Sequence, residues 1–275
     1  MATINTNPGA MIALQNLNKT NSDLQQVQQR INTGLAISSA KDNGGIYAIA
    51  QSMRADVGGY KAVTQSIDLA VSTVDVALAG GEAISDILVD MKQKALAAAD
   101  TSLDTAARSA LNEDFKALRD QIGTIVSNAE FNGANLIDGS KTAGISALAN
   151  ADGSNTVDVD DENFSLGGSI VTLAATASFG TAAEASTAAS TIATSLDSLN
   201  ASLARLGTGS KSLEIHKTFV SKLSDTLEQG IGNLVDADLA KESARLQSLQ
   251  VKQQLGVQAL SIANSAPSTI LGYFR

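Results

Sequence analysis

The chain has no cysteine, no tryptophan, two prolines and one histidine in 275 residues, and aromatic residues make up only 3% of it. Without cysteine there are no disulfides, thiolate metal sites or thiol catalysis. A single histidine leaves no second imidazole for a metal. A Ser-His-Asp arrangement would have to use His216, which no nucleophile-elbow motif accompanies; a rim or solvated position is the expectation for it. The 19 basic residues are outnumbered by 28 acidic ones, for a net charge of −9, and no Lys/Arg cluster interrupts that balance. Nucleic acid and anionic membranes are therefore set aside as partners. No apolar run is long enough to cross a bilayer. The start, MATINTNPGAMIALQNLNKT, has neither a basic n-region nor an apolar h-region, so export would need a dedicated apparatus.

What is abundant is the palette of helices. Hydrophobic residues are 44% of the chain, carried by Ala, Leu, Ile and Val, and Pro8 and Pro267 stand near opposite ends. Alternating steps of four and three from Ile46 land on Ala50, Met53, Val57, Tyr60, Thr64, Ile67, Val71, Val74 and Leu78, where Gly80-Gly81 is expected to interrupt. A second stripe follows at Ile84, Leu88, Met91 and Ala95, and a third at Leu111, Phe115, Leu118, Ile122 and Ile125, closing at NAEFNGANLIDG. The longest runs from Ala185 through Leu196, Leu199, Leu203, Leu206, Leu213, Lys217, Val220 and Leu227 to Leu234. At 1.5 Å per residue it predicts a helix roughly 75 Å long. Heptad spacing predicts left-handed wrapping, hence a mainly α fold: an elongated rod of long antiparallel coiled-coil-like helices. Its predicted core includes Ile46, Met53, Val57, Ile67, Val74, Leu111, Leu118, Leu196, Leu203 and Leu227.

From about Asp138 to Gly180 the helical period vanishes, and NTVDVD alternates after the turn signal NADGS, which predicts a small β-hairpin. The acidic cluster Asp158, Asp160, Asp161 and Glu162 lacks the spacing of a calcium loop and reads as a solvated strand edge. GSKTAGISALANADGS lacks the order of a phosphate-binding loop. Asp236 and Asp238 suit a helix start rather than acid-base chemistry, and no cofactor or enzyme site is indicated.

The two ends carry stripes of their own. Leu14, Leu17, Leu24, Ile31 and Leu35 share one with polar Asn21 and Gln28. At the far end Leu239, Leu246, Leu249, Leu260 and Ala263 form one stripe, with Val251, Leu255 and Ile262 beside it and an apolar tail through Leu271 and Phe274. One helical neighbour cannot cover so wide a face, so pairing the two ends leaves apolar surface for further copies of the chain. Rich in Gln and Asn and interrupted by Gly256, these helices should be marginal alone and fold on assembly.

INTN at 4–7, INTGLAISSAKDNGG at 31–45, EFNGANLIDG at 130–139 and DADLAKESARLQSLQVKQQLGVQALSIAN near the end resemble the terminal blocks of the bacterial flagellins. The resemblance implies a structural subunit that self-polymerises into an extracellular flagellar filament for swimming. It implies terminal self-assembly helices at 1–43 and 236–275, and an outer-tube domain at 44–235 that includes the 138–180 hairpin region. The short segment after Asn135 implies that the variable surface domains are missing. It further implies export through the flagellar type III apparatus, an export chaperone, a filament cap, hook-associated proteins and sister flagellins as partners. A hook-filament junction protein is the family's alternative role, and a soluble helical signalling module the alternative outside it. In the segment that innate receptors of the Toll-like class recognise in this family, Asp90 stands at a key basic position, followed by Lys92 and Lys94, which implies weak or no signalling. The usual arginine-rich segment reads GSKSLEIHK at 209–217.

Overall fold

The computed structural model describes residues 6–271, with side chains through Ser265. The chain is mainly α. Its helices are α1 (Pro8–Thr33), α2 (Gly44–Ala98), α3 (Thr105–Asn128), α4 (Ala182–Val235) and α5 (Leu239–Leu271), and two antiparallel strand pairs lie between α3 and α4. No helix among the described residues is long and apolar enough to cross a membrane. Two compact units form, Asp56–Asp225 and the two ends, Met1–Ala55 with Thr226–Arg275. The division falls inside α2 and α4, so Ile46, Met53 and Leu227 lie in the terminal unit.

In the Asp56–Asp225 unit, α2 buries Val63, Ile67, Ala70, Val74, Ala77, Ile84, Leu88, Met91, Ala95 and Ala98, a near-unbroken alternation of four and three. In α4 the buried Ala185, Ile192, Leu199, Leu206, Leu213 and Val220 recur every seven residues, the repeat that coiled-coil seams require. Phe115, Ile122 and Val126 of α3 join the same core. An ion pair between Asp68 and Lys217, and the approach of Gly81 to Leu203, fix α2 and α4 as antiparallel here. Val57, Ile67 and Val74 are buried as the spacing predicts, whereas Leu111, Leu118, Leu196 and Leu203 are half-buried at the seam's margin.

Gly80 and Gly81 do not interrupt α2, which continues through them for 55 residues. Both are buried, and a Cβ on Gly81 would stand 2.5 Å from Leu203 Cδ2 and 2.8 Å from the Phe164 ring. Glycine inside a helix costs about 1 kcal/mol relative to alanine; here that cost is offset by close approach of core side chains.

Local chemistry sets the remaining ends. Asp104 caps α3, accepting from the Ala107 amide at 2.6 Å, and Arg108 donates to the carbonyls of Ala98, Asp100 and Leu103 beyond the end of α2. Thr181 and Glu184 form a reciprocal capping box on α4; amide donors at Gly180 and Thr181 hold the Glu184 carboxyl below its ordinary pKa. Asn132 and Gly133, both at positive φ, turn β1 (Glu130–Phe131) into β2 (Ala134–Asn135) as Asn-Gly turns do. The predicted hairpin is β3 (Ile145–Leu148) with β4 (Thr156–Val159). Its turn touches α2 at Gly59, β4 touches α4 at Gly209, and the His216 ring nitrogen Nε2 stands 2.8 Å from the Ala149 carbonyl, a rim position.

One part of the acidic cluster departs from the expectation of a solvated strand edge. Asp158 and Asp160 are exposed, but Glu162 is buried and holds Arg205 through two bonds of 2.5 and 2.7 Å. The strap after β4 turns inward there, bonding Glu162 N to Leu136 O and Phe164 N to Ile137 O.

Candidate functional site

The residues singled out at the two ends of the chain meet in one antiparallel helix pair, α1 with α5. Each boundary is written locally. Asn7 caps α1 by accepting from the Ala10 amide, and Pro8 occupies the first turn, where its missing N–H costs nothing. Gly34, at φ 72°, closes α1 in the left-handed conformation. The chain then bridges across: the amides of Ala36 and Ile37 donate to the Val235 carbonyl and that of Ala237 to Gly34 O. Ser38 and Ser39 each donate an amide and a hydroxyl to Asp42, bonds that hold its carboxyl below the ordinary pKa, the Ser39 amide foremost. Asn43 caps α2, and Asp238 caps α5 as expected of a helix start. INTGLAISSAKDNGG is thus a helix end, a bridge, a turn and a helix start in succession.

Between the two helices lies a small apolar cluster of Leu24, Val27 and Leu249, with Ile31 and Leu246 against it. Gln28 is exposed and its expected place is taken by the fully buried Val27, because a helix turn of 3.6 residues drifts off a heptad count. Leu17, Leu35 and Leu260 are half-buried. Gly256 does not interrupt α5; a Cβ there would meet Leu17 Cδ1 at 3.2 Å. Leu239 is exposed.

The second α5 stripe is bare. Ile262 is 71% exposed, Leu255 57%, and Val251 and Val257 more than half, while on α1 Met11 is 68% exposed with Ile12 and Leu14 beside it. Met11, Ile12 and Val257, equally bare, were not among the expected assembly residues; the apolar run AMIAL at 10–14 is the signal for the first two. The Leu271 side chain and all of Phe274 lie outside the described residues. Large exposed apolar patches are where proteins meet other molecules, which makes these side chains the candidates for assembly.

The other candidates sit in the Asp56–Asp225 unit. On α2, Asp90 is exposed and Lys92 and Lys94 are half-buried. Lys94 Nζ pairs with Asp114 of α3 at 2.7 Å.

Comparison with known proteins bears on this surface directly. The model of the bacterial flagellin N-terminal helical region matches residues 4–142, and that of the C-terminal helical region matches 189–274; both ends of the α1–α5 pair fall within them. Flagellin FljM of Caulobacter vibrioides is 58% identical over 272 residues, 99% of this chain and 98% of that one. A flagellin of Brucella melitensis is 40% identical over the whole of both chains. A solved structure of a flagellar hook-associated protein from Vibrio parahaemolyticus shares the fold at a TM-score of 0.58 and 16% identity, covering 71% of this chain and all of that one.

Proposed function

The chain belongs to the bacterial flagellin family, whose members are structural subunits of the flagellar filament, and from that premise we propose that it is a filament-building subunit assembled through its terminal helix pair. Export proceeds unfolded through the flagellar type III apparatus, with a chaperone guarding the apolar C-terminal stretch and a distal cap guiding addition, and the product serves swimming. Flagellins FljM and FljK of Caulobacter vibrioides are both close relatives, which supports co-assembly with sister flagellins. The observation that carries the reading is the apolar surface left bare on the two paired helices, at Val251, Leu255, Val257 and Ile262 of α5 and at Met11, Ile12 and Leu14 of α1. About 25 cal/mol is gained per Å² of such surface removed from water, and a helical polymer of identical chains removes it at every addition.

The test is negative-stain electron microscopy of purified chain added to short filament seeds, beside a variant lacking residues 236–275. Long filaments from the intact chain alone are expected. If the intact chain leaves seeds of its own filament unextended, the filament-subunit reading falls and a junction role replaces it.

A further inference from the structure

The seam between α1 and α5 is unusual in what holds it. Among the described residues only Leu24, Val27 and Leu249 are buried apolar residues there, yet three polar contacts cross it. Asn7 Nδ2 donates to the Ala263 carbonyl at 2.7 Å, Gln253 Nε2 to Asn21 Oδ1 at 2.8 Å, and Arg30 Nη1 to Glu242 Oε1 at 3.0 Å. Every advance along α1 from Asn7 to Asn21 to Arg30 is matched within a few residues by a retreat along α5, so the three obey a single antiparallel register. Leu17 against Gly256 obeys it too. Arg30 and Glu242 are the least solvated of the set: the Glu242 side chain is only 11% exposed, and Arg30 Nε and Glu242 Oε2 are buried with no partner.

Those contacts are poor glue. An exposed or half-exposed polar pair contributes little to stability, and a buried ion pair often does no better than an apolar pair of equal volume. What such groups do well is penalise wrong pairings. Sliding α5 by one heptad would still set Leu against Leu, because the apolar stripes repeat, but it would strand the Glu242 carboxylate without Arg30 and Asn21 without Gln253. Breaking a buried pair in that way is strongly destabilising, and a slip that again sets Leu against Leu gains nothing to offset it.

We infer that Asn21–Gln253 and Arg30–Glu242 are register determinants of the terminal helix pair: they fix which residues of α1 stand beside which of α5, and with them the relative placement of the bare side chains of both helices that a second copy meets. This deepens the filament-subunit reading and rests on it for its consequence, while the register itself is a property of a single chain.

The absence of cysteine makes the register directly readable. A Cβ on Gly256 would stand 3.8 Å from Leu17 Cβ, the usual Cβ separation in a disulfide. Leu17→Cys is combined in the full chain with Gly256→Cys for the native register, or with Leu249→Cys or Ala263→Cys for a heptad slip in either direction. Each pair is oxidised both in monomer and in seed-extended filaments. With the native contacts, the 17/256 product alone should form. With Asn21→Leu, Gln253→Leu, Arg30→Met and Glu242→Met together, a slipped product should rise to a share comparable with 17/256. Retention of 17/256 alone in that variant overturns the inference. So does loss of every product, which would make the contacts glue rather than register marks, and so does a parent chain that never forms 17/256. A parent chain that forms 17/256 but does not extend seeds leaves the register standing and removes the filament-subunit reading instead.

Discussion

Glu162 and Arg205 make two bonds to each other from very unequal surroundings: the Glu162 side chain is 7% exposed and the Arg205 side chain 61%. Ser202 Oγ accepts a further bond from Arg205. Remove the arginine and a carboxylate is left in the strap's interior without its cation, a loss of roughly 3 kcal/mol or more. Remove the carboxylate's charge and the guanidinium simply faces water, at a cost of about 1 kcal/mol. Arg205→Met should therefore lower the thermal midpoint of the chain well below that of Glu162→Gln, and replacing both with apolar residues should recover much of the difference. Equal losses in the two single variants would mean that the carboxylate has found other partners. A different question attaches to Asp90, exposed on α2 one turn from the Lys94–Asp114 pair. Its negative charge at a position where the family resemblance calls for a basic residue should make the purified chain a weak or silent agonist in Toll-like receptor reporter cells, with Asp90→Arg the more active of the two. A potent response from the unaltered chain would overturn that expectation.

At the scale of elements, heptad counting was sufficient wherever one helix meets its neighbours along a continuous seam. It found α4 whole and α2 as two stripes broken at Gly80-Gly81, and the buried spacing of Leu199, Leu206, Leu213 and Val220 in α4 lies within the stripe it traced. It failed at Gly80, Gly81 and Gly256, where an expected interruption is an uninterrupted helix. The reason is that a helical glycine announces a cost but not what offsets it. The atoms that would collide with a Cβ belong to Leu203 and Phe164 for Gly81, and to Leu17 for Gly256, residues far away in the chain. Glu162 was misplaced for the same reason. Its environment depends on Arg205, 43 residues further on, and nothing in a run of acidic residues tells which one turns inward. The exposure of Leu255 and Ile262 was legible because they break the pattern that pairing with α1 alone would need, whereas Met11 and Ile12 lie off the heptad positions.

For the whole molecule the decisive contrast is how unevenly burial is distributed. The Asp56–Asp225 unit has a continuous core running through α2, α3, α4 and the strap. The α1–α5 pair, by contrast, has three buried apolar residues among those described and polar contacts that specify more than they stabilise. Helices of this composition are marginal without tertiary support, and local opening follows local burial. Amide hydrogen exchange should show this as two populations in the isolated chain: slow exchange across α3 around Phe115 and Ile122, and fast exchange from Leu14 to Leu35. In filaments the second population should become slow, because neighbouring copies then supply the apolar partners that Leu14, Leu255 and Ile262 lack in a single chain. Stabilisation of a pair that is registered in the monomer but opens readily would then be coupled to addition of the subunit. If the amides of Leu14 to Leu35 in isolated monomer are as protected as those of α3, the terminal pair is as stable as the core before assembly and that coupling does not exist.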